Sequence, residues 1–358
     1  MSYRVPIGPY HVALDEPYKV EVDCEGETIT EAHVKVGFNF RGIEWLAQRK
    51  NMTKCIALME RVCGICSNVH SMSFCMALER IGAIEVPKRA QYIRMVVAEL
   101  ERLHSHLLWA GVAAEEIGFQ TAFMQVFRFR EQVMDMLEAI SGNRVNYSMN
   151  CIGGVNRDIT DPASVLAVAR EVRDTVNRVL IPLFTHDRTI AARCRGVGIL
   201  SHSDAIRYGA VGPVARASGV DIDMRRDNPY LAYDEVKFNV PVQPEGDVLA
   251  RVIVRALEIV ESCNIIEQAL SQMPPGNIHG DDIYSVRAGE AVNRVEAPRG
   301  EVFYYVETNG SDVPSRVKVR TPTFVNIPSV MAMLKGNEFA DMPLIQAALD
   351  PCYSCTDR

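Results

Sequence analysis

Between Lys88 and Gly118 the apolar positions Ile93, Val96, Val97, Leu100, Leu103, Leu107 and Gly111 recur at helical spacing, with charged Arg94, Glu99, Glu101 and Arg102 interleaved. Residues three and four apart share a face, so this stretch is predicted to be a long amphipathic helix. A second helical run, Phe123 to Ile140, stops at Ser141-Gly142-Asn143, and a third begins where Asp161 can cap and Pro162 can take the first turn. A fourth runs from about Val248 to Met273 and is ended by Pro274-Pro275. Four long helices with short or moderate connections predict a bundle as the core.

Shorter segments have β character. Val20 to Val22 and Ile29 to Phe38 are separated by the turn-like Cys24-Glu25-Gly26-Glu27, and Glu301 to Val306 and Arg316 to Arg320 flank Asn309-Gly310 as a hairpin. The predicted fold is therefore α+β, a central long-helix bundle with small β elements in an N-terminal lobe and near the C-terminus. The expected organisation is one domain over 1–358, with a β-rich lobe (1–45), a helical core (46–280) and a closing segment (281–358) that holds the hairpin and a cysteine pair.

A chain of 358 residues, 48% hydrophobic and 23% charged, can bury a large core. The net charge of -7 and the lack of any Lys/Arg block give no sign of nucleic-acid binding and suit a basic or neutral partner surface. The opening MSYRVPIGPYHV lacks the charged start and apolar run of a secretory signal, and nowhere do about 18 apolar residues run uninterrupted. The expectation is a soluble, intracellular chain that other subunits carry to any membrane it meets. Its ten cysteines then read as thiols and metal ligands rather than as a disulfide framework.

Four of them carry the chemistry. Cys63-Gly64-Ile65-Cys66 and Cys352-Tyr353-Ser354-Cys355 are two C-x-x-C pairs separated by 285 residues. Two intervening residues let both sulfurs reach one ion, and thiolates select nickel, iron or zinc. A structural zinc site is the plain alternative, but such sites close a small local module. A thioredoxin-like redox pair lacks its surrounding βαβ pattern here.

Arg61-x-Cys63-Gly64-x-Cys66-x-x-x-His70, together with Asp350-Pro351-Cys352-x-x-Cys355, resembles the two signature motifs of nickel-iron hydrogenase large subunits. Gly8-Pro9-Tyr10-His11, Arg41-Gly42-Ile43-Glu44, Gly212 to Gly219 and Glu296 to Glu301 look like segments shared by the energy-converting, membrane-associated hydrogenases and the quinone-site subunit of respiratory complex I. The short length and the ending Cys355-Thr356-Asp357-Arg358 are most similar to the Ech-type large subunit of methanogens. The same resemblance supplies a rival, a complex I-like subunit that binds quinone and no metal; in that branch the cysteine pairs are lost.

The resemblance implies roles. Cys63 and Cys352 bind nickel terminally, while Cys66 and Cys355 bridge it to an iron carrying carbon monoxide and cyanide. Cys352 is the base in the cleavage of hydrogen, and Glu16, 47 residues before the first cysteine, is the first proton acceptor beyond it. Arg299 overhangs the open position with its permanent charge. Thr323, in Thr321-Pro322-Thr323-x-x-Asn326, donates to a cyanide, and His70 donates to the bridging sulfur of Cys66. Soluble relatives end in a histidine that helps a glutamate matching Glu44 to hold a magnesium-type ion. Here Arg358 stands at that position and is expected to pair with Glu44 instead. The chain also stops at the residue where relatives are trimmed by a maturation protease.

His104 and His106, two apart on one helix, are expected on different sides as packing or interface residues. Cys24, Cys55, Cys75, Cys151, Cys194 and Cys263 lack a partner spacing and are expected as buried thiols without an iron-sulfur cluster. Electrons must then leave through another protein. The implied partners are a small subunit with an iron-sulfur cluster, a ferredoxin-like subunit, ion-translocating membrane subunits and ferredoxin itself, with the chain held peripherally on the cytoplasmic side of the cell membrane.

Overall fold

Alternate residues Val20, Val22 and Cys24 are buried in β2 (Lys19–Glu25), the middle strand of an antiparallel sheet between β1 (Ser2–Ile7) and β3 (Thr28–Lys35). The period of two fits a strand with one face on the core. The computed structural model describes residues 2–12, 14 and 16–358. β1 escapes sequence reading because it is an edge strand with little buried besides Ile7, and β3 ends at Lys35 rather than Phe38.

Short helices α1 (Ile43–Ala47) and α2 (Met52–Glu60) lead into α3 (Ser67–Gly82), α4 (Lys88–Glu116) and α5 (Gln120–Ser141). A small hairpin, β4 (Asn150–Cys151) and β5 (Gly154–Val155), precedes α6 (Pro162–Thr175). A π-helical turn, Val176–Leu180, continues into α7 (Ile181–His186), followed by α8 (Arg188–Cys194), α9 (His202–Tyr208), α10 (Gly212–Arg216), α11 (Met224–Asp227) and the long α12 (Val248–Gln272). α4 packs on α5 and α12, and α6 packs on α5 and α12, which is the expected four-helix core. The caps are as predicted: Gly142 ends α5 in the left-handed region, and the Asp161 side chain accepts from the Ser164 N–H at the start of α6.

Two further differences from the sequence reading lie in the helical core. α3 was not anticipated, because protein surrounds nearly every residue of it and no polar stripe marks a solvent face. α4 is not amphipathic in the ordinary sense: Arg94, Glu99, Glu101 and Arg102 are all buried. They are tolerated because each is paired or hydrogen-bonded, Arg94 to Glu79 at 2.7 Å and Arg225 to Glu99 at 3.1 Å among them.

The C-terminal β element is a three-stranded meander, β6 (Gly289–Ala297), β7 (Gly300–Thr308) and β8 (Arg316–Arg320). The predicted pairing of β7 with β8 holds, while β6 adds a strand and turns into β7 at Pro298-Arg299. The sheet lies on α3. The chain finishes with α13 (Pro322–Leu334), α14 (Met342–Leu349) and α15 (Tyr353–Asp357), which return it to the start of α3.

Candidate metal centre

Each cysteine pair sits where the chain turns into a helix. The Cys63 sulfur accepts the N–H groups of Ile65 and Cys66 at 3.2 and 3.3 Å just before α3, and the Cys352 sulfur accepts the Cys355 N–H at 3.4 Å at the start of α15. This shared turn aims both sulfurs of a pair the same way. The two segments then meet first with first and second with second: Cys63 Sγ lies 3.5 Å from Cys352 Sγ, and Cys66 Sγ lies 3.6 Å from Cys355 Sγ. All four are buried free thiols.

These distances suit a shared ion. A tetrahedral thiolate set with bonds of about 2.3 Å has an edge of about 3.8 Å, and Cys63, Cys66 and Cys355 already bring their sulfurs within 4.8 Å of one another. Without a cation the set cannot ionise together. Hydrogen bonds from Cys352, then Cys355 and Cys66, draw Cys63 well below an ordinary thiol. Cys355 is pushed well above one by its hydrogen bonds to Cys352, Cys63 and Cys66 and by burial. Four thiolates in this space therefore require divalent metal to offset their charge.

Arg41 fastens the two segments together. Its guanidinium donates to the carbonyls of Arg61 and Val62 at 2.6 and 2.8 Å, and to that of Ser354 at 2.6 Å. Glu101 fixes the start of α3, accepting the N–H groups of Asn68 and Val69 at 2.6 and 3.1 Å. Sequence reasoning missed both roles. The only signal was that Arg41 opens one of the shared segments.

Arg299, on the β6–β7 turn, is buried beside the thiols. Its Nη2 meets Asp350 Oδ1 at 2.7 Å, Nε donates to the Asp350 carbonyl at 2.9 Å, and Nη1 donates to Ser105 Oγ at 3.3 Å. Burial works against its charge, but Asp350, Cys352, Cys63 and Cys66 more than compensate and hold it protonated. Gly212 explains why this turn can sit so close to α10: a Cβ there would come within 2.3 Å of the Arg299 carbonyl.

Glu16 approaches from the β1–β2 connection. One carboxylate oxygen accepts the Ser354 N–H at 2.7 Å, the Ser354 hydroxyl at 3.2 Å and the Asn39 amide at 3.4 Å, so it lies against one of the two residues between Cys352 and Cys355. Burial raises it above the usual glutamate value. The Thr323 hydroxyl accepts the Cys352 N–H at 3.1 Å, which leaves its own proton available. Asn326 is drawn elsewhere, bonding both backbone groups of Val211.

His70 reaches a different sulfur from the one expected. Its Nε2 lies 3.6 Å from Cys355 Sγ, not Cys66, because α3 carries the ring across the site toward α15. Tyr304 OH meets Nδ1 at 2.8 Å. Burial lowers His70 to about 4 and raises Tyr304, so both are neutral, and in the tautomer where the tyrosine hydroxyl donates to Nδ1 the Nε2–H faces the sulfur.

The C-terminal residue is paired with Glu44. Arg358 Nε meets Glu44 Oε1 at 2.8 Å as expected, and Lys318 takes Oε2 at 2.5 Å, so the carboxylate is shared between two cations. His104 and His106 diverge as anticipated: Arg130 donates to His104 Nδ1 at 3.0 Å, and His106 Nε2 meets Glu258 at 2.9 Å. Of the six other cysteines, Cys151 is half-buried and the rest are buried.

The sequence matches the family model "Respiratory-chain NADH dehydrogenase, 49 Kd subunit" over 116–286 and 282–358, and "Nickel-dependent hydrogenase" over 41–110. The second model thus contains the first cysteine pair, and the first model contains the second pair. The chain is 40% identical to a carbon monoxide-induced hydrogenase of Rhodospirillum rubrum, over 100% of this chain and 99% of the relative. It is 43% identical to the membrane-bound hydrogenase subunit alpha of Pyrococcus furiosus, over 99% and 87%. A chain of the membrane-bound sulfane sulfur reductase, an archaeal respiratory membrane complex, superposes with a TM-score of 0.93 at 33% identity, over 100% of this chain and 98% of that one.

Proposed function

Because the chain belongs to the family that joins the catalytic subunits of energy-converting, membrane-associated nickel-iron hydrogenases to the 49 kDa subunit of respiratory NADH dehydrogenase, we propose that it is the catalytic subunit of a ferredoxin-linked energy-converting hydrogenase. The observation that carries this reading is the meeting of four buried sulfurs in two like pairs, at 3.5 and 3.6 Å, beside a buried guanidinium.

When bound here, a nickel-iron centre whose iron carries carbon monoxide and cyanide would supply the reversible heterolytic cleavage of hydrogen. Cys63, Cys66, Cys352 and Cys355 would hold that centre through their four sulfurs. Cys352 takes up the proton at Sγ and passes it to the Glu16 carboxylate, whose raised affinity for protons suits a carrier. Arg299 offsets thiolate charge and polarises the space beside it. Thr323 would donate its hydroxyl proton to a cyanide of that centre, and His70 would donate to Cys355 and steady its charge. Arg358 and Lys318 neutralise Glu44, where the resemblance places an ion in the soluble hydrogenases.

Electrons leave through a small subunit bearing an iron-sulfur cluster and a ferredoxin-like subunit, with ferredoxin as the redox partner. Among the described residues no helix is long and apolar enough to cross a membrane. Ion-translocating membrane subunits accordingly hold the chain on the cytoplasmic face. The test is infrared absorption of iron-bound carbonyl and cyanide, with nickel and iron at one each per chain. Zinc in their place points to a structural site. An absence of metal in the purified complex points to the quinone-site reading, which the 49 Kd match favours.

A further inference from the structure

Glu16 borders a cavity of about 10 Å³, lined also by Tyr18, Glu116, Gln346, Pro351 and Tyr353. That is room for about one water molecule. Its lining is unusual in joining two carboxyl groups from distant parts of the chain: Glu16 from the β1–β2 connection and Glu116, the last residue of α4.

Gln346 adds an independent sign that a polar occupant belongs there. The residue is 4% exposed, its Oε1 accepts the Tyr18 hydroxyl, and its Nε2 has no hydrogen-bond partner among the described residues. A buried amide left unpaired loses its hydration with nothing in return. A water in the cavity would accept from that amide and still have bonds to offer the two carboxyl groups, which meets the two to four polar partners a buried water needs.

We propose that this cavity is the second step of the proton route, in which a proton held by Glu16 crosses one water, oriented by Gln346, to the carboxylate of Glu116. The O–H bond on Glu16 breaks, one forms on Glu116, and no electrons move. Glu116 is half-buried at the end of α4, so it can release the proton outward. The proposal rests on Glu16 being the first acceptor from Cys352.

The experiment uses the intact complex with Glu116→Gln, Glu116→Asp, Ala347→Val and Glu16→Gln. Ala347 also lines the cavity, and the added methyl groups fill it while leaving both carboxyl groups in place. The first readout, without hydrogen or turnover, is the infrared C=O band of protonated Glu16, identified by its loss in Glu16→Gln, and the rate at which it shifts on mixing into D2O at mildly acidic pH. The second is hydrogen-deuterium exchange. Glu116→Gln and Ala347→Val should slow both by at least about tenfold, and Glu116→Asp should recover most of the rate. If Glu16→Gln loses exchange while Glu116→Gln and Ala347→Val keep the wild-type rates, the Glu116 route is wrong and the role of Glu16 stands. If Glu16→Gln itself exchanges normally, the first acceptor has been misassigned.

Discussion

Arg299 allows charge and shape to be separated by substitution. Its guanidinium is 5% exposed and spans three acceptors: Asp350 Oδ1, the Asp350 carbonyl and Ser105 Oγ. Arg299→Met leaves Asp350 buried with Arg255 as its one remaining cation among the described residues, at 3.9 Å from its other oxygen. Removing one member of a buried pair costs about 3–5 kcal/mol, and Arg255 should hold the loss near the lower end. The double variant Arg299→Met/Asp350→Asn removes the stranded charge and should recover most of that stability. Arg299→Lys keeps the charge, but a single ammonium cannot span the three acceptors. We expect it to assemble with both metals and to turn over at least about a hundredfold more slowly, equivalent to about 2.7 kcal/mol of transition-state stabilisation. Thermal denaturation, metal analysis and hydrogen uptake with an artificial acceptor read these effects separately. A lysine variant at wild-type turnover, or a double variant that regains activity together with stability, would refute the catalytic reading and leave Arg299 as a structural partner of Asp350.

Other substitutions test neighbouring parts. Cys63→Ser and Cys352→Ser should abolish turnover and nickel retention, since a hydroxyl is a poor soft-metal ligand at neutral pH; full nickel in either would overturn the ligand assignment. Glu16→Gln should keep the metals and lose hydrogen-deuterium exchange, because an amide cannot carry the proton, and exchange at the wild-type rate would send the proton elsewhere. Glu44 is held below the ordinary glutamate value: burial opposes this, but the contacts with Lys318, Arg358 and the Val319 N–H prevail. Its contribution is therefore present above its unfolded value near 4.5 and fades as the pH falls through the lower folded value. Arg358→Ala should cost about 1 kcal/mol at neutral pH, modest because the pair is partly exposed. That difference from wild type should close in acid. A loss that persists there would trace to packing of Arg358 over Phe324, 5.7 Å away, rather than to the ion pair.

Much of this was legible in one dimension. The ends of α4, α5, α6 and α12 could be read from apolar spacing, from Gly142, from Asp161-Pro162 and from Pro274-Pro275, because capping and helix breaking act within a few residues. The C-x-x-C turns were legible for the same reason: two intervening residues suffice to aim both sulfurs one way. The residue types themselves restricted the chemistry to soft or borderline metals.

What lies across the chain was decided by packing. Nothing local places Cys63 against Cys352, Arg41 on both cysteine segments, His70 on Cys355 rather than Cys66, or Glu16 and Glu116 on one cavity. α3 and the charged residues of α4 mark the boundary most clearly. Sequence patterning reports a helix by the contrast between its buried and solvated faces, and in the centre of this molecule that contrast disappears. There a charge is retained by a partner brought from another element, as Arg94 is by Glu79 and Glu99 by Arg225. Such partners are set by the three-dimensional path of the chain, because a buried charge is tolerated only where the whole fold delivers its counter-ion.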